Sequence, residues 1–205
     1  MEKLEIPKNP IEFFVWLKES SERYWENIEI KKGIFGFQTQ SKTKWLAGLS
    51  EKKIKEYEKE LGFLFPEIYK LYLQNMNGTD KPAINIYGHS ETVAYASEYY
   101  SYPRDLEIVK DKIKWIYEEF SINEEIVLSE KIPHIIPIVG HRFLIADNCV
   151  NNPILSIYGI DSILYAPNLE SFLVAGIFQN HSFIATEIDF QLKLWLDGDL
   201  EYLNN

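Results

Sequence analysis

The chain has 205 residues, 46% of them hydrophobic and 25% charged, with 21 basic against 31 acidic side chains and a formal charge of −10. A chain of this size buries a core without metal or disulfide, and the single cysteine, Cys149, excludes an internal disulfide framework and fits a reducing compartment. The acidic balance repels nucleic-acid phosphates and favours basic partners, and no apolar run approaches the roughly 20 residues that cross a bilayer.

The opening MEKLEIPKNPIEFFVWLKES has no basic segment leading into an uninterrupted apolar run, so no secretory signal is expected and the chain reads as cytoplasmic. Asn9 and Pro10 read as an N-cap and a first helical residue. Phe13, Phe14, Leu17, Tyr24 and Trp25 then suit an amphipathic helix. GIFGFQTQ, from Gly33 to Gln40, reads as extended, and SKTKWLAG as a connection ending at Gly48.

Ser50 is a fitting N-cap for a helix through Leu61, with Ile54, Tyr57 and Leu61 on one face. Gly62 suits the left-handed position that ends such a helix, and Pro66 the first turn of the next. Along that second helix Tyr69, Tyr72, Leu73 and Met76 form an apolar stripe, and Asn77-Gly78 reads as its end. TDKPAINIYG follows as a loop entering a short strand. HSETVAYASEYYSYPRD has no clean period and reads as an irregular, tyrosine-rich loop.

Asp105 opens a helix with Leu106, Val109, Ile113, Ile116 and Phe120 facing inward. From Ile132 the pattern changes to short β-rich runs, HIIPIVG, RFLIADN, PILSIYG and SILYA, with a tight hairpin at Tyr158 to Asp161. Asn168 caps NLESFLVAGIF, and ATEIDFQLKLWLDG reads as a final helix. Helices, then a meander of strands, then helices predict an α+β fold with one mostly antiparallel or mixed sheet and helices packed around it.

GLSEKKIKEYEKELGFLFPEIYKLYLQNMNG resembles the helix pair of the SUKH superfamily, which includes the Smi/Knr cell-wall regulators of yeast and many bacterial immunity proteins. The matching positions are Ser50, Glu58, Leu61, Gly62, Pro66, Tyr69, Asn77 and Gly78. IPIVGHRFLIAD, PILSIYGIDSILYAPNLESFL and YSYPRD add to the likeness, which covers roughly Trp45 to Phe178. The resemblance implies one SUKH-like domain over residues 1–205, with a core at about 45–178, an N-terminal helical extension at 1–44 and a C-terminal helix at 179–205. It also implies a non-enzymatic, cytoplasmic protein-binding role: neutralising a cognate toxin, a nuclease being one such target. The alternative under the same resemblance is a signalling or scaffold module on a resident cellular protein.

Other readings of the residues are weaker. A helix-turn-helix would use PEIYKLYLQNMN as its recognition helix, yet that helix offers Lys70, Gln74 and Asn75 beside Glu67 on an acidic chain, so no nucleic-acid partner is expected. His141, Asp147 and Cys149 share a parity, but residues along one straight strand advance about 3.3 Å per step and cannot converge into a nucleophilic site. His89, His134, His141 and His181 show no metal-ligand spacing, so neither metal nor cofactor is expected. Tyr99, Tyr100, Tyr102, Arg104 and Asp105 combine aromatic area with polar ends and are the candidate partner-binding residues. A basic toxin domain is the expected partner. No membrane association is expected.

Overall fold

The structure is a computed structural model that describes residues 5–87, 92–147, 151–184, 192 and 194–196. The chain forms two compact units, one of residues 1–57 and 67–105, the other of residues 58–66 and 106–205.

In the first unit, the Asn9 side chain accepts the N–H groups of Ile11 and Glu12, capping α1 (Pro10–Trp25) as its sequence predicts. Phe13, Phe14, Leu17 and Trp25 are buried, while Tyr24 faces solvent. GIFGFQTQ does not form a strand. Gly33 and Gly36 take positive φ, and Gln38 alone pairs, with Ile84. WLA in the expected connection is instead β1 (Trp45–Ala47). Next come α2 (Glu51–Leu61), whose last four residues belong to the second unit, α3 (Glu67–Asn75), β2 (Met76–Thr79), β3 (Ala83–Asn85) and β4 (Ala94–Ala96).

The end of α3 differs from expectation. The helix stops at Asn75, and Met76 to Thr79 pair with β1 in the register Trp45↔Thr79 and Ala47↔Met76. Helical stripe and strand share Met76, which is fully buried, so side-chain pattern alone could not place the switch. The expected irregular loop also contains β4, paired with β3.

In the second unit, α4 (Leu106–Glu119) is followed by α5 (Glu124–Ser129), a short helix that no periodicity announced, capped by the Asn123 carboxamide on the Ile126 N–H. Strands β5 (Ile135–Val139), β6 (Arg142–Ile145), β7 (Ile154–Tyr158) and β8 (Asp161–Ala166) form an antiparallel meander in sequential order. The predicted hairpin is present, with Tyr158 paired to Asp161. Ile135, Phe143, Ile145, Leu155 and Ile157 join Ile116, Phe120 and Trp195 in one core cluster. The alternate positions Ile136, Leu144 and Ile154 are buried too, so the strands read as nearly continuous apolar runs. Asn168 caps α6 (Leu169–Phe178), donation coming from the Ser171 N–H, and His181–Phe183 form a 3₁₀ turn.

The fold is α+β, with all described strand pairs antiparallel. The single expected sheet is replaced, among the described residues, by three: β1–β2, β3–β4 and β5–β6–β7–β8. Short strands explain the division. Those of the first unit run three or four residues, and the β1–β2 register shifts between Trp45 and Ala47. Most of the predicted final helix at 185–198, together with His89 and Cys149, lies outside the described residues.

Candidate functional site

Several of the motif residues make defined contacts within their own units. Ser50 caps α2: its Oγ accepts the Lys53 N–H at 3.4 Å and its carbonyl the Ile54 N–H at 3.0 Å. Glu58 is buried and accepts the Phe65 N–H at 2.8 Å, fixing the break that Gly62, at φ +83°, begins. Pro66 directly precedes α3, and Tyr69 is buried on it. Asn77 clamps the YSYPRD segment: its amide donates to the Tyr102 carbonyl at 2.8 Å and its oxygen accepts the Tyr102 N–H at 2.9 Å. Gly78 has φ +74°, and a Cβ there would lie 2.7 Å from the Ser101 Cβ and 2.8 Å from the Tyr99 carbonyl oxygen. The left-handed backbone and the close approach both call for glycine.

The tyrosine-rich stretch lies in the same knot, with its rings inward. Tyr99, Tyr100 and Tyr102 are 4%, 8% and 9% exposed. The Tyr99 ring lies 4.7 Å from that of Trp45, and Tyr102 stacks on Tyr57 at 4.6 Å. Asp105 accepts the Ser101 N–H at 2.8 Å and the Ser97 hydroxyl at 3.0 Å, and pairs with the Arg104 guanidinium at 3.0 Å. Arg104 also donates to the Thr79 carbonyl at 3.0 Å. Burial alone would raise the Asp105 pKa, but the hydrogen bonds and charge of Arg104, with the Ser101 and Ser97 donors, hold it below the usual value. Four of the five candidate partner-binding residues are thus packed into the unit's own core. Arg104 alone presents a partly exposed side chain.

The histidines and carboxylates pair differently from the arrangement weighed on parity. Asp147 accepts the His134 N–H at 2.7 Å and also meets the His134 Nδ1, while Phe63 stacks on the imidazole at 4.5 Å. Burial pushes the Asp147 pKa up, and the His134 ring and backbone contacts outweigh it, leaving it lowered. His141 lies beside Tyr158 instead, its pKa lowered by burial and by the charges of Arg142 and Lys112. The His134–Asp147 pair orients an imidazole but meets no described nucleophile. Among the described residues no group of three or more His, Cys, Asp or Glu is placed to hold a metal.

The second unit carries a groove of ≈ 460 Å³ between the last turn of α2, one face of α4 and the start of α5. Leu61, Ile113, Tyr117 and Ile122 provide its apolar lining, and Glu60, Asp111, Glu118 and Glu124 its acidic one. Lys110 and Lys114 also line it, but Lys110 pairs with Glu60 at 2.8 Å and Lys114 with Glu118 at 3.7 Å. Asp111 and Glu124 have no ion-pair partner among the described residues. Burial, then the Glu124 and Asp147 carboxylates, push the Tyr117 hydroxyl well above the ordinary tyrosine range. No motif in the sequence marks this groove; the spacing of Lys110, Ile113, Lys114 and Tyr117 on one helical face was its only trace.

A scan against protein-family models and searches of curated proteins and of solved structures return no match to this chain. Among the described residues no helix is long and apolar enough to cross a membrane.

Proposed function

We propose that this chain is a cytoplasmic, non-enzymatic binding protein that neutralises a basic toxin domain, the role implied by its resemblance to the SUKH superfamily. The observation that carries the reading is electrostatic. Lys44, Lys53, Lys55, Lys70, Lys110 and Lys114 each lie within 4 Å of a glutamate carboxylate. The sequence as a whole carries 31 acidic against 21 basic side chains, and with that surplus a negative field. Such a field speeds encounter with a basic partner and weakens as salt rises. Carboxylates would cover the basic groups that a nuclease-like toxin uses on its own polyanionic substrate, so no bond-making step is needed.

The test is affinity capture of the tagged full-length chain from its host, with neighbouring genes expressed, at low and moderate salt, followed by co-expression with whatever is retained. A basic protein released as salt rises, whose toxicity the chain suppresses, is the expected result. Retention only of a resident, non-toxic protein at all salts overturns the toxin reading in favour of a scaffold module.

A further inference from the structure

The groove on the second unit is floored by apolar side chains and edged by two carboxylates, Asp111 and Glu124, that pair with no lysine among the described residues. We propose that it seats a short basic amphipathic segment of the partner protein, with apolar side chains against Leu61, Ile113, Tyr117 and Ile122 and lysine or arginine groups on Asp111 and Glu124. This rests on the reading of a basic partner given above and names where that partner docks.

Size and charge set the occupant. From Lys110 to Glu118 α4 advances about 12 Å at 1.5 Å per residue, so about two helical turns fit along it. A volume of ≈ 460 Å³ takes a few apolar side chains rather than a folded domain. Helix-in-groove recognition sets apolar anchors at spacings of three and four, with polar groups flanking. Asp111 lies near one end of the lining stretch of α4, and Glu124 opens α5 beyond its other end, so cations are called for at both ends of the segment. An acidic segment would meet like charge there. A second copy of this chain, at −10, would bring the same repulsion.

The test uses the full-length chain and a labelled 14-residue peptide of leucine and lysine at helical spacing, with a glutamate-for-lysine peptide as control. Fluorescence anisotropy reads affinity, and backbone amide NMR shifts read location. The lysine peptide is expected to bind with shifts centred on Leu61, Ile113, Tyr117 and Ile122, and to weaken about tenfold in the double variant Asp111→Asn, Glu124→Gln. Glu19→Gln with Glu29→Gln, at exposed carboxylates outside the groove, should change affinity less than about twofold. Shifts centred elsewhere, equal weakening by both double variants, or equal binding of the glutamate peptide would overturn the proposal. A captured basic partner that the groove variant retains unchanged overturns the groove and leaves the toxin reading intact. A peptide seated in the groove, with no basic partner captured, leaves the groove and removes that reading.

Discussion

The tyrosine knot of the first unit and the groove of the second both set carboxylates beside apolar side chains, yet they put them to opposite use. In the knot, Asp105 has donors from Ser97, Ser101 and Arg104, and Asn77 answers both backbone groups of Tyr102. In the groove, Asp111 and Glu124 lie exposed without an ion-pair partner among the described residues. The knot's carboxylate has its partners inside the unit; the groove's two are open to solvent. A polar group whose hydrogen bonds are complete inside a unit stabilises the fold, whereas a carboxylate left open beside apolar surface is available to a partner.

The comparison breaks most visibly at Tyr99. Tyr99→Ala should remove a ring packed against Trp45 and Trp25 and cost about 3–5 kcal/mol, read as a lower urea midpoint. A normal melt with altered binding would return the tyrosines to the surface. Asn77→Ala leaves the buried N–H and carbonyl of Tyr102 unanswered and should cost about 2–4 kcal/mol in the same assay.

Acid titration gives a smaller, graded effect. Asp105 and Asp147 have folded pKa values below their ordinary one, so their stabilisation is complete above the unfolded value near 3.8 and is lost as pH falls through the folded values. The urea midpoint should therefore drop below about pH 4, and drop less steeply in Asp105→Asn. An identical slope in that variant would count against the assignment. Smallest of all, Asp111→Asn with Glu124→Gln should move stability by no more than about 0.5 kcal/mol, because both carboxylates are exposed and outside the ion pairs. A clear loss of stability there would erase the contrast between the two regions.

Local chemistry was legible in the sequence. Asn9, Ser50 and Asn168 cap helices because a side-chain oxygen reaches N–H groups two or three residues on, and Gly62 takes positive φ where a helix must stop. The β5–β8 meander followed from apolar runs punctuated by turn residues, and the Tyr158–Asp161 hairpin from its own glycine. What tertiary structure alone decided involves partners far apart in the chain. The β1 strand exists because Met76–Thr79 lies beside it, and the tyrosines turn inward because Asn77 and Trp45 receive them across 25 and 54 residues of chain. Asp147 chooses His134 over His141 through the β5–β6 pairing that brings Ile135 opposite Ile145. The groove needs α2, α4 and α5 together, and no window of sequence contains all three. Caps and turns are set by backbone groups within one turn, whereas burial and open charge are set by which distant segments meet.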